Sequence, residues 1–175
     1  MSDYQAKGLD LNEVQNWGKD WKVATYTGKL DGKELKIAIV AALFNHQYTK
    51  KLMEGALQGL RDHGVKSDHI ETFWVPGAFE LPVTALKVAK SEKFHAVITL
   101  GVIIKGDTAH FDYVAGPCAD GVMQASLKAK LPIIFGVLTA HTVEQVEDRT
   151  GGRLGNKGYE YALAAVRMGT LFLPS

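Results

Sequence analysis

The chain has 175 residues, 46% hydrophobic and 22% charged, with a formal net charge of +1 at pH 7. That is the composition of one globular domain with its own core. Near neutrality it has no general attraction for polyanions, which argues against nucleic acid and acidic membranes as partners. Cys118 is the only cysteine, which excludes an intramolecular disulfide and a zinc-type cysteine cluster.

The opening MSDYQAKGLDLNEVQNWGKDW has no basic stretch followed by an apolar run, so it does not read as a secretory signal. No run approaches the ~18 apolar residues of a membrane span, and the expected compartment is the cytoplasm. Residues 1–34 are polar, with turn signals at Tyr26-Thr27-Gly28 and Asp31-Gly32. They read as an extension holding one short strand, Val23 to Thr27. Trp17 and Trp21 suggest that this extension docks on something, because a free tail rarely carries so much apolar area.

From residue 35 to 175 the chain reads as one domain in which strands and helices alternate. Lys36 to Leu43 is a continuous apolar, β-branched run, the mark of a strand buried on both faces. Tyr48 to His63 has apolar residues at helical spacing (Leu52, Ala56, Leu57, Leu60) and stops at Gly64. Ile70 to Val75 is a second strand, Pro76-Gly77 a turn, and Leu81 to Ser91 a second helix. His95 to Ile104 is a third strand. Tyr113 to Lys128 is a third helix, which puts Pro117 in its first turn, where the missing N–H does no harm. Pro132 to Leu138 is a fourth strand, and Thr142 to Arg149 and Asn156 to Leu171 are closing helices.

This alternation implies right-handed crossovers and a parallel sheet covered on both sides. The expected fold is α/β: a three-layer αβα domain with a doubly wound, four-stranded parallel sheet in flavodoxin-like order. Such sheets bind ligands beyond the carboxyl ends of their strands, where strand order switches. That rule selects Phe44-Asn45, Pro76 to Glu80, Gly101 to His110, and the stretch after Leu138.

Each of these places admits two readings. Phe44 could stack on a flat heterocycle or cap the core. Glu80 suits a helix start, or could accept hydrogen bonds from a hydroxylated ligand. Gly106-Asp107-Thr108 leads into a helix, and amides near a helix start form an anion site, although the Walker spacing is absent. His110 follows, and an imidazole both gives and takes protons near neutral pH. The other histidines show no metal-ligand spacing. The segment from Arg149 to Gly158 holds four glycines and three cations. It is either a solvated linker or an anion clamp, with Arg149 suited to bidentate contact.

Together, KIAIVAALFN, WVPGAFELP, ITLGVIIKGDTAHFDYV, PIIFGVLTAHTVEQ and EDRTGGRLGNKGYEYALAAVRM resemble the lumazine synthases, in the family's order and spacing from about Lys36 to Met168. The resemblance implies condensation of 5-amino-6-(D-ribitylamino)uracil with 3,4-dihydroxy-2-butanone 4-phosphate to 6,7-dimethyl-8-ribityllumazine, the penultimate step of riboflavin biosynthesis. Phosphate and water are released, and neither redox cofactor nor metal is implied. By the same resemblance Phe44, with Asn45 beside it, falls on the aromatic that stacks on the pyrimidine. Ala78, Phe79 and Glu80 fall on the ribityl-contacting turn, and Val102, Ile103 and Ile104 on the backbone contacts to the ring. Gly106, Asp107 and Thr108 fall on the phosphate-side loop, and His110 on the proton-transferring histidine. Phe135, Arg149 and Lys157 fall on residues given by an adjacent subunit, with Arg149 on the phosphate. The chain departs from the family's pattern at Leu43, usually Arg, at His141, often acidic, at Arg153, usually Lys, and at Leu154, usually smaller.

The resemblance further implies a homo-oligomer: a pentamer, and with the short connection Thr150 to Gly155 a sixty-subunit icosahedral shell. The short strand of the extension would add to a neighbour's sheet, and riboflavin synthase is an implied partner. Two other readings are a non-catalytic flavin- or lumazine-binding shell protein and a generic nucleotide-binding module. The first need not keep His110 and Arg149. The second expects a Ser/Thr-rich loop where Phe44-Asn45-His46-Gln47 stands.

Overall fold

Strand β1 (Ile37–Ala42) is buried at every position, which a strand can be only when both its faces are covered. The computed structural model describes residues 11–171 and 173. Residues 1–10 of the expected extension lie outside that set, as do 172, 174 and 175. β1 pairs in parallel with β2 (Ile70–Val75) on one side and with β3 (Ala96–Ile104) on the other, and β4 (Ile133–Ala140) pairs with β3. The four-stranded sheet has the order β2-β1-β3-β4.

Alternate residues of these strands face opposite ways, and two cores result. Ile37, Ile39 and Ala41, with Ile98 and Leu100, meet Leu52, Ala56 and Leu60 of α2 (His46–Asp62) and Ala162, Ala165 and Val166 of α6 (Lys157–Thr170). Ala38, Val40 and Ala42, with Val97 and Val137, meet Leu81, Ala85 and Val88 of α3 (Leu81–Ala89) and Cys118, Val122 and Ala125 of α4 (His110–Ala129). Each fully buried Leu or Ile contributes roughly 1.5–3 kcal/mol over an exposed one. This is the three-layer, doubly wound α/β fold that the alternation predicts.

Local chemistry moves several boundaries. α2 ends in a Schellman motif: Gly64, at φ 85, donates to the Arg61 carbonyl and Val65 to that of Leu60. Thr142 and Asn156 are caps rather than helical residues, their oxygens accepting from Gln145 N at 3.3 Å and Gly158 N at 2.9 Å. α5 therefore spans only Val143–Glu147. α4 begins at His110, three residues before the expected start, so Pro117 lies inside the helix and not in its first turn. The residue before it is Gly116, which has no Cβ to clash with the proline ring.

The expected linker from Arg149 to Gly158 is ordered as a small antiparallel hairpin, β5 (Thr150–Gly152) with β6 (Gly155–Asn156). Gly151 and Gly155 take positive φ there, at 118 and 73. The hairpin is anchored where α2 and α6 touch. A Cβ on Gly158 would overlap the Leu52 carbonyl oxygen, and Asn156 Nδ2 donates to the Lys51 carbonyl at 2.7 Å.

In the extension the regular element is a helix, α1 (Leu11–Asp20), which the turn signals do not suggest. Residues 23–27, expected as a strand, make no strand pairing among the described residues. α1 leans on them: Gln15 Nε2 donates to Thr27 Oγ1 at 3.3 Å, and Gly18 abuts Thr25. Trp17 and Trp21 stay 58% and 69% exposed. Among the described residues no helix is long and apolar enough to cross a membrane.

Cys118 is wholly buried under α4, and burial pushes its thiol up to about 11. The thiolate is the reactive form, so Ellman's reagent at pH 8 should leave the native protein unlabelled and label one thiol per chain in denaturant. Prompt labelling of the native protein would contradict this burial.

Candidate active site

Past the end of β1 the chain stays hydrogen bonded to β2's exit: Leu43 N donates to the Val75 carbonyl at 2.8 Å and Phe44 N to that of Pro76 at 3.0 Å. Phe44 is thus carried out beside the Pro76-Gly77 turn and is 71% exposed. Asn45 then turns the chain into α2 from the left-handed region, φ 59 and ψ 35, which Asn tolerates better than most residues. Its Nδ2 donates to the Val102 carbonyl of β3 at 2.9 Å. That bond ties the ends of β1 and β3 together across the switch in strand order.

The turn after β2 is stiffened by its own acid. Glu80 Oε2 accepts from Gly77 N at 2.9 Å, and the backbone closes a 3-10 turn over Ala78–Glu80. Glu80 therefore has the helix-start role directly, with one carboxylate oxygen committed to it. Beyond β3, Lys105 N donates to the Ala140 carbonyl at 2.9 Å, and the loop then leaves the sheet. Thr108 Oγ1 accepts from His110 N at 3.4 Å, and His110 opens α4 with its side chain exposed. A Cβ on Gly106 would meet nothing within 4 Å, so the chain itself does not demand glycine there.

These three exits enclose a cleft of about 700 Å³, a size that suits one small heterocycle with its substituents. Phe44, Asn45, Ala78, Phe79, Glu80, Val102, Ile103, Ile104, Gly106, Thr108 and His110 all line it. The wall is largely apolar, with polar groups at Asn45, Glu80, Thr108 and His110. Phe111, Tyr113 and Val114 also line it, beside Pro76 and Gly77. A helix read from Tyr113 leaves 110–112 in a loop. The i, i+1, i+4 face of His110, Phe111 and Val114 becomes legible only once α4 starts at His110. His141 stands behind that wall, its ring edge-on to Phe111 at 6.2 Å between centroids.

Asp107 does not line the cleft, and neither do Phe135, Arg149 and Lys157. The last three lie around edge strand β4 and the start of α6. Lys157 N donates to the Arg149 carbonyl at 2.9 Å. Arg149 Nη1 donates to the Gln145 carbonyl at 2.9 Å, and Lys157 Nζ pairs with Glu160 at 2.7 Å. α5, which carries Gln145, is capped by Thr142, and the Glu144 carboxyl is held below its ordinary range by its own backbone N–H and the Thr142 hydroxyl. Among the described residues no group of three or more His, Cys, Asp and Glu is placed to hold a metal ion.

The family model described as 6,7-dimethyl-8-ribityllumazine synthase matches residues 34–172. The match includes β1 to α6 and every residue of the cleft and of the Arg149 face.

Asn45 offers a separable test of how the cleft is held. Asn45→Gly keeps the left-handed backbone and loses the bond to Val102, a cost of about 1 kcal/mol. Asn45→Ala loses the same bond and adds a left-handed penalty of roughly another 1 kcal/mol. Urea denaturation should rank wild type above Gly above Ala; equal stability of the two variants would show that the backbone turn carries no cost.

Proposed function

The chain belongs to the 6,7-dimethyl-8-ribityllumazine synthase family, and from that premise we propose how its residues divide the work. It is a transferase of riboflavin biosynthesis, forming 6,7-dimethyl-8-ribityllumazine by condensation. The pyrimidine's amine attacks the butanone carbonyl, an imine forms, phosphate leaves, and ring closure with loss of water completes the second ring. The observation that carries the residue assignments is the convergence of Phe44, Glu80 and His110 on one cleft.

In this reading Phe44 stacks on the pyrimidine, and the backbone of Val102, Ile103 and Ile104 meets its polar edge. The turn of Ala78, Phe79 and Glu80 receives the ribityl chain, with Glu80 accepting from its hydroxyls. His110 moves protons during imine formation and elimination. Gly106, Asp107 and Thr108 lie on the phosphate side. Phe135, Arg149 and Lys157 reach the cleft of a neighbouring copy, where Arg149 takes the departing phosphate by charge-assisted, bidentate contact. Holding two substrates in register supplies much of the remaining acceleration.

We assign the working form to a pentamer, and the short β5–β6 hairpin favours its growth into a sixty-subunit shell. What supports self-association is surface that a single chain leaves in water: Tyr113, Met123 and Leu127 along α4, 73%, 53% and 66% exposed. Among the described residues β2 is a sheet edge with its outer hydrogen-bonding side unused, and residues 23–27 pair with no strand. The extension of one copy would add there to the sheet of the next. The compartment we assign is the cytoplasm, which suits a lone buried thiol. Riboflavin synthase is the partner this reading implies.

Purified protein mixed with both substrates should form lumazine absorbance well above the uncatalysed control. His110→Ala should lower kcat about a hundredfold with little change in either KM. Arg149→Ala should instead raise KM for the butanone phosphate about tenfold or more. Wild-type kinetics in either variant would remove that residue's role. Sedimentation should give a particle larger than a pentamer. A pentamer's mass in every buffer would remove the shell, and a monomer's mass with full activity would remove the shared site.

A further inference from the structure

The face around Arg149 holds a group that no role above uses. Tyr161 lies four residues after Lys157 in α6, so the two share one side of the helix. Helical side chains lean towards the helix N-terminus, which aims the Tyr161 ring at the first turn, where Lys157 N–H holds the Arg149 carbonyl. The ring also lies against the sheet at Gly136: a Cβ there would fall 2.9 Å from Tyr161 Cδ2 and would collide with the Thr99 carbonyl oxygen. Gly136 is thus the gap that admits the ring.

We propose that Tyr161 is a further binding residue of this face, its hydroxyl donating a hydrogen bond to the phosphate of the butanone phosphate beside the Arg149 guanidinium. The proposal rests on the assignment of Arg149 to that phosphate. A phosphate needs several donors, and on the Arg149 face those at hand are few. Lys157 Nζ is occupied by Glu160 at 2.7 and 2.8 Å. Arg149 spends Nη1 on the Gln145 carbonyl at 2.9 Å. A phenol adds a donor without burying another cation. Burial first, and then the Glu160 charge, push the Tyr161 phenol up to about 12 against the pull of Arg149, so it keeps its proton throughout neutral pH. Among the described residues the Tyr161 hydroxyl has no hydrogen-bond partner, and one helical turn before it the Lys157 N–H holds the Arg149 carbonyl.

The test is Tyr161→Phe in the full-length protein, with each substrate varied in turn and inorganic phosphate as the inhibitor. Loss of one hydrogen bond to a charged group should raise KM for the butanone phosphate, and the inhibition constant of phosphate, about tenfold. KM for the pyrimidine diamine and the melting temperature should not move. Unchanged constants for both substrates would overturn the proposal. So would a parallel rise in both, which would mean that the ring only packs. Arg149→Ala, run alongside, separates this from the reading beneath it. If that variant leaves KM for the butanone phosphate unchanged, the assignment of Arg149 has failed; if it raises KM while Tyr161→Phe does not, only the role of Tyr161 has.

Discussion

Burial of β1 on both faces is the constraint from which the rest follows. A strand with no wet side needs helices above and below, and parallel neighbours can be reached only through crossovers. The chain satisfies this by sending α2 to one face and α3 and α4 to the other. The exits of β1 and β3 must then part in opposite directions, and the crevice opens between them. The Asn45–Val102 bond spans that parting. The same residue that starts α2 thereby sets how far the floor of the cleft lies from its β3 wall.

The cleft so formed is an apolar slot with few polar groups, and little in it could neutralise a phosphate. The cations that could do so lie elsewhere on the surface, on the hairpin and the start of α6. Their position depends on a different contact, the close approach of α2 and α6 at Gly158 and the Asn156–Lys51 bond. Two independent packing constraints thus hold the two halves of the proposed site. Under the shared-site reading, assembly and catalysis are one requirement, because neither face holds both a stacking aromatic and an anion partner in an open cleft.

Several side chains do structural and chemical work together. Glu80 closes its own turn through Oε2, so its use by a ligand would fall to the remaining lone pairs. Thr108 steadies the backbone at His110. Phe111, beside His110, is backed by the His141 ring directly behind the cleft wall. Leu43 is half exposed at the mouth of the same exit, where it adds apolar surface.

The alternation of strands and helices, the doubly covered sheet and the four strand-end segments were legible in the residues alone, because side-chain periodicity is local and a buried parallel strand has a recognisable apolar run. The family motifs were legible for the same reason: their spacing is written within short stretches. What depended on contacts between distant residues was not. The start of α4 at His110, and with it the Phe111 and Val114 wall, goes with the Thr108 hydroxyl accepting from His110 N and with Gly116 before Pro117. The ordering of the Arg149 segment into a hairpin turns on left-handed glycines and on an anchor to α2 more than a hundred residues away in sequence. That α1 forms at all was hidden, since two exposed tryptophans do not distinguish a helix from a strand. Sequence therefore determined the alternating strands and helices of the sheet domain and which loops could carry chemistry. Tertiary structure alone decided which loops meet in one cleft and which residues lie on another face, because convergence depends on strand order and on close contacts that no local pattern records.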